Sequence, residues 1–176
     1  RNDDNMSDAG KVYVMGGATW GSFAQRNLAM STYKFLGEGN MDETGLTLNS
    51  TQDIDGDGLP EILIGAPLMN NETGRVYMYF SSSLSGGGTF QTSNADIIFD
   101  GQSVGEQFGF VITSMHDADF DNVGDFWITA PYADVDGEDN GRMSFFSGVQ
   151  LIGSSQILPS DATLTLTGNE GDMLGT

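Results

Sequence analysis

The 176-residue sequence contains no cysteine. It therefore has no disulfide framework, no thiolate metal site and no cysteine nucleophile. That absence does not set the compartment, because an intracellular chain needs no disulfides and a secreted one can brace itself with metal instead. Basic residues are nearly as scarce: Arg1, Lys11, Arg26, Lys34, Arg75 and Arg142 face 25 aspartates and glutamates, for a net charge of −19. Such a chain has no means of neutralising a run of phosphates, which excludes nucleic-acid binding, and an anionic membrane surface repels it. No apolar run approaches the roughly 18 residues needed to span a bilayer, so no direct membrane insertion is expected, and Arg1-Asn2-Asp3-Asp4-Asn5 is not a signal peptide. Proline is rare, at 4 residues, whereas glycine is abundant, at 25. With 38% apolar residues, this mix suits many short strands joined by turns, disfavours long helices and argues against wholesale disorder.

What the sequence does have is a repeated acidic loop followed by an apolar run. Asp53-Ile-Asp-Gly-Asp-Gly-Leu-Pro-Glu61 leads into Ile62-Leu-Ile-Gly-Ala-Pro67. Asp117-Ala-Asp-Phe-Asp-Asn-Val-Gly-Asp125 leads into Phe126-Trp-Ile-Thr-Ala-Pro131, with an offset of 117 − 53 = 64. Gly45 and Gly109 are also 64 apart, and Gly175 follows 66 later. Gly10-Lys-Val-Tyr recurs at Gly74-Arg-Val-Tyr and Gly141-Arg-Met, at offsets of 64 and 67. Phe35-Leu-Gly37 recurs at Phe99-Asp-Gly101 and loosely at Leu166-Thr-Gly168. A period of this length fits a four-stranded propeller blade rather than a solenoid coil.

Within one period the pattern predicts four strands. The first is 46–51 or 110–115 and the second 61–66 or 126–130, the latter with consecutive apolar residues and hence two buried faces. The third is 75–80 or 142–146, and the fourth 32–36, 95–99 or 162–166. The Gly/Ser-rich stretch 81–89 reads as a flexible loop. The fold expected is all-β: a β-propeller segment of four-stranded antiparallel blades, about 2.75 repeats long. Its parts are strands three and four of a first blade at 1–36, a second blade at 37–100, a third at 101–167 and the start of a further blade at 168–176. Such a chain reads as an excerpt from a longer array, with a third acidic loop beyond Thr176 or before Arg1, or as one whose edges pair with neighbouring copies.

The acidic loops point to metal. The first offers carboxylates at relative positions 1, 3, 5 and 9 (Asp53, Asp55, Asp57 and Glu61) and the backbone carbonyl of Leu59 at position 7. The second offers Asp117, Asp119, Asp121 and Asp125, with the carbonyl of Val123. Position 6 is Gly58 or Asn122, the residue types that best tolerate a positive φ. All donors are hard oxygens, which selects Ca2+, at two sites, over zinc, copper or magnesium. Position 12 is apolar in both copies, so these are not helix–loop–helix hands. The acidic runs at 134–139 and 2–8 fall after the Ala-Pro phase and read as solvated turns. Two divalent ions would bring the charge only from −19 to −15, so most of the acidity is surface.

At these residues the sequence resembles the FG-GAP repeats of integrin α-subunit propellers and their bacterial relatives. The pattern of Phe-Gly, calcium loop, apolar strand, Gly-Ala-Pro and Gly-x-Val-Tyr appears as Phe108-Gly109, 117–125, 126–129, Thr129-Ala130-Pro131 and Gly141-Arg142-Met143. The other copy has Thr44-Gly45, 53–61, Gly65-Ala66-Pro67 and Gly74-Arg75-Val76-Tyr77. Thr44 for Phe, Thr129 for Gly and Asn122 for Gly are the departures. The resemblance covers essentially the whole chain. It implies a seven-bladed ring with structural calcium bracing the loops of one face, the opposite face often being the ligand-binding one. That ligand role does not carry over residue by residue.

The function expected is a calcium-binding propeller segment of an extracellular or cell-surface adhesion or scaffold protein. It would engage a protein or glycan ligand through propeller loops, or neighbouring copies of the same chain. The alternatives are a subunit of an extracellular filament or surface layer, and the binding propeller of a larger hydrolase. No catalytic residues are expected in the chain itself: His116, the single histidine, adjoins a calcium loop, no Ser/His/Asp constellation is recognisable, and the best-organised carboxylates belong to the metal loops. Trp127 is expected in the core and Trp20 in a loop. Sequons at Asn5, Asn49 and Asn71 make the chain a glycoprotein if it passes a eukaryotic secretory pathway, with Asn49, in a strand, the least accessible.

Overall fold

The computed structural model describes residues 7–17 and 27–176. Twelve short strands form three sheets among these residues. In chain order they are β1 (Lys11–Val14), β2 (Tyr33–Leu36), β3 (Thr47–Ser50), β4 (Ile62–Ala66), β5 (Arg75–Tyr79), β6 (Gly88–Gln91), β7 (Ile97–Asp100), β8 (Ile112–His116), β9 (Asp125–Ala130), β10 (Arg142–Phe146), β11 (Gln156–Ile157) and β12 (Leu164–Thr167). The second sheet runs β3-β4-β5-β7 and the third β8-β9-β10-β12, both as antiparallel meanders. β1 and β2 pair antiparallel in the first sheet. This is a β-propeller segment of four-stranded antiparallel blades, and the strands fall where the repeat predicts them, within a residue or two at each end.

The consecutive apolar residues of β4 are buried on both faces, as their sequence requires, and those of β9 on the face of Phe126 and Ile128. Leu63 on β4 packs with Val76, Met78, Phe99, Phe126, Ile128 and Phe146 between the second and third sheets, whereas Ile64 packs with Phe35, Tyr77 and Tyr79 between the first and second. Alternation along a central strand thus staples one sheet to both neighbours. Aromatic rings fill each seam: Phe99 meets Phe126 and Phe146 edge-on at 5.7 and 5.2 Å, and Phe35 lies 4.7 Å from Tyr79.

The repeated glycines set the blade spacing. Gly74, at φ +84°, bridges in parallel to Phe108, and a Cβ there would collide with the Phe108 backbone. Gly109, at φ +92°, sits against Val76, leaving no room for a side chain. The exchange of Thr129 for glycine is compensated. Where the strand-two residue is Gly65, the strand-one Thr47 hydroxyl donates to the Gly109 carbonyl at 2.7 Å. One repeat on, position 111 is Val, and the Thr129 hydroxyl itself donates to the Gly175 carbonyl at 2.8 Å. The Thr44-for-Phe exchange is not compensated in this way: Thr44 is buried and its hydroxyl has no hydrogen-bond partner.

Two expectations need correction. Residues 81–89 are not a featureless loop: Ser81–Leu84 form a 3₁₀ turn that buries Leu84, and β6 then pairs in parallel with β2 of the preceding sheet. β11 pairs with β7 in the same way. Each long three–four connection therefore reaches back and adds a strand to its neighbour. Trp127 lies outside the fully buried core. It is half-buried against Phe145, ring centroids 5.2 Å apart, on the face of β9 turned away from the second sheet. Trp20, Asn5 and most of the 2–8 acidic run lie outside the described residues.

Candidate metal centres

Both acidic loops sit in the hairpin between strands one and two of a sheet, β3–β4 and β8–β9. Carboxylate–amide hydrogen bonds close each loop into a similar turn. The position-1 carboxylate caps the turn: Asp53 accepts from the Gly56 and Gly58 amides at 2.8 and 2.9 Å, and Asp117 from Asp121 and Asn122 at 2.9 and 3.0 Å. The position-5 carboxylate accepts the position-7 amide, Asp57 from Leu59 at 2.7 Å and Asp121 from Val123 at 2.8 Å. Gly58 and Asn122 take the positive φ expected of position 6, at 85° and 68°. Position 4 does the same through Gly56 and, in the second loop, Phe120 (φ 66°), which stands 87% exposed.

These turns converge acid groups. Oxygens of Asp53, Asp55 and Asp57 all lie within 4.8 Å of one another, as do those of Asp117, Asp119 and Asp125. At such spacing two like charges repel by about 1 kcal/mol in water and about 4 kcal/mol at the effective dielectric of a protein surface. A three-carboxylate cluster of hard oxygens is therefore suited to a divalent cation. Glu61 and Asp121 are the expected carboxylate ligands that fall outside these two clusters. Asp121 accepts from Val123 and from the Ser147 hydroxyl at 3.4 Å.

Glu61 is fully buried, and burial raises its pKa above the ordinary glutamate value. Its oxygens accept the Ile54 amide within the loop and the Ser81 amide just beyond β5, both at 2.9 Å. Asp125 repeats this, accepting Ala118 at 2.6 Å and Gly148, just beyond β10, at 3.1 Å. The position-9 acid is thus a clamp between the loop and the strand-three exit. The Ser82 hydroxyl extends the clamp to Asp55 at 2.5 Å. The sequence marks the acid and its spacing, but not the amides it serves. The loops themselves touch: a Cβ on Gly124 would meet the Gln52 backbone at 2.8 Å.

Of the remaining candidates, His116 is exposed, with φ 57° at a bulge in β8. Asp134 and Asp136 lie exposed in a turn where Asp134 caps the Asp139 amide at 2.8 Å. Asn49 donates its amide to the Ile112 carbonyl at 2.7 Å between sheets, which occupies the nitrogen a glycan would need. Asn71 is exposed on a left-handed turn.

With fold and loops in place, the class is clear: an all-β propeller segment with acidic hairpin loops. Residues 44–79 match the FG-GAP repeat family. The chain is 35% identical over 124 residues to integrin alpha-PS2 of Drosophila melanogaster, covering 64% of this chain and 8% of that protein. It is 34% identical over 127 residues to integrin alpha-5 of Xenopus laevis, covering 67% and 11%. It is also 28% identical over 123 residues to the human phosphatidylinositol-glycan-specific phospholipase D, covering 67% and 14%. The chain is an FG-GAP, integrin α-like propeller segment, and it spans 8% to 14% of the length of these relatives. Among the described residues no helix is long and apolar enough to cross a membrane.

Proposed function

We propose that this chain is a calcium-braced stretch of an extracellular adhesion or scaffold propeller, with the boundaries read from the repeat: 1–36, 37–100, 101–167 and 168–176. The observation that carries the reading is the convergence of three carboxylates at the same place in two successive hairpins. Asp53, Asp55 and Asp57 would hold one Ca2+, and Asp117, Asp119 and Asp125 the other. Glu61, Asp121 and the carbonyls of Leu59 and Val123 complete the donor sets that the spacing offers. Bound calcium supplies the positive charge that offsets carboxylate repulsion. The chain's own residues close the turns, clamp them to the strand-three exits and leave the opposite loops free to meet a protein or glycan. No residue of this chain is assigned a chemical step.

Calorimetric titration with calcium tests the proposal. Two binding events are expected, with one lost in Asp55→Ala and the other in Asp119→Ala. Heat indistinguishable from dilution, or no loss in either variant, would sink it. The phospholipase D relative favours one second reading, a propeller that serves as the binding part of a larger hydrolase.

A further inference from the structure

The two acidic hairpins are built alike, but the segments that leave strand three beside them are not. The backbone aligns the copies. The Ser81 amide reaches Glu61 and the Gly148 amide reaches Asp125, so Ser81-Ser82-Ser83 corresponds to Gly148-Val149-Gln150. All three hydroxyls of the serine run donate to neighbouring elements. Ser81 donates to the Pro60 carbonyl and Ser82 to Asp55 Oδ2, both at 2.5 Å, and Ser83 donates to Asp96, just ahead of β7, at 2.8 Å. In the second copy Gly148 and Val149 carry no hydroxyl. Ser147, one residue earlier, reaches Asp121 at 3.4 Å, and Asp121 lies outside the three-carboxylate cluster.

The difference falls on position 3 of the loop. Asp55 and Asp119 are both exposed members of their clusters. Ordering an exposed side chain costs conformational entropy, and a hydrogen bond that fixes it beforehand reduces that cost on binding. Asp55 is held at both oxygens: Oδ1 accepts the Asp57 amide at 3.1 Å and Oδ2 the Ser82 hydroxyl. A carboxylate held in this way keeps lone pairs for a metal. Asp119 has Val149 where Asp55 has Ser82. Ser82 also opens the connection that buries Leu84 and continues into β6, the strand paired with β2 of the preceding sheet.

We infer that Ser82 is a positioning residue for the divalent cation of the first hairpin. It holds Asp55 in the cluster with Asp53 and Asp57, and it ties occupancy of that loop to β6. The second hairpin, with Val149 at this place, lacks the corresponding tie to β11. The two loops are therefore unequal: a cation at the first steadies the seam strand β6 more than a cation at the second steadies β11. The inference rests on the calcium reading above.

Calcium is titrated calorimetrically into Asp119→Ala, which keeps the first site, and into the same chain with Ser82→Ala or Ser82→Thr added. Ser82 is exposed, so neither change disturbs the core. Expected is an affinity about tenfold lower with alanine, recovered with threonine, which restores the hydroxyl. In Asp55→Ala, which keeps the second site, adding Ser82→Ala leaves the affinity unchanged. Amide exchange in the wild-type chain gives an independent readout. Calcium should slow exchange at residues 88–91 more than at 156–157, and Ser82→Ala should remove that difference. An affinity unchanged by alanine, an equal loss with threonine, a matching loss at the second site, or exchange at 88–91 indifferent to calcium would each overturn the inference. A wild-type chain that binds no calcium overturns the bracing reading and this inference with it. Calcium binding that Ser82→Ala leaves intact overturns this inference alone.

Discussion

Single residues show where the two repeats are equivalent and where they are not. Position 4 of the hairpin loop needs a left-handed backbone, and the first copy meets it with Gly56, the second with Phe120. A non-glycine residue there costs about 1–2 kcal/mol, and the Phe120 ring recovers little because it stands 87% exposed. Phe120→Gly is therefore expected to stabilise the chain by up to about 1 kcal/mol, the greater freedom of glycine when unfolded offsetting part of the relief. Scanning calorimetry reads this as a melting temperature higher by about 2–4 °C. An unchanged or lower value would mean that the ring makes a contribution its exposure conceals. Asp42 shows the opposite case: it is buried beside a cleft, and its Oδ2 has no hydrogen-bond partner.

Among elements, the strands that hold each blade together were the most legible. Ile62-Leu-Ile and Phe126-Trp-Ile are consecutive apolar runs of the kind an interior strand carries, and both lie on interior strands of their sheets, with Trp127 alone half-buried in the second run's outer face. β6 and β11 were not legible. Gly88-Thr-Phe-Gln and Gln156-Ile have no period of their own, and their pairing is parallel, non-local and set by the neighbouring blade. The acidic loops were legible as donor types and spacing. The sequence did not reveal that Glu61 and Asp125 bind backbone amides across the blade, because a spacing rule names acids without naming the amides they face. β6 depends on the turn before it, where Leu84 packs in the seam with Tyr79 and beside Phe90. Leu84→Ala should cost about 2–4 kcal/mol. It should also speed amide exchange at residues 88–91 more than in β9 and β10. Uniform acceleration, or none, would show that β6 is not held through this anchor.

For the whole molecule, acidity and architecture point the same way. A net charge of −19 acts against compactness, and the fold concentrates six of its acids into two clusters. Each loop is tied through its position-9 acid to a strand-three exit, and from the first exit the chain continues into the strand that pairs with the preceding sheet. Cation binding at a hairpin is thus linked to the seam between blades, and any ion that binds the folded chain alone stabilises it by mass action. The most direct measurement is the melting temperature of the chain in excess calcium, in EDTA, and in EDTA followed by calcium or magnesium. The account predicts a large fall on chelation, full recovery with calcium and a smaller recovery with magnesium. A melting curve unchanged by EDTA would contradict it.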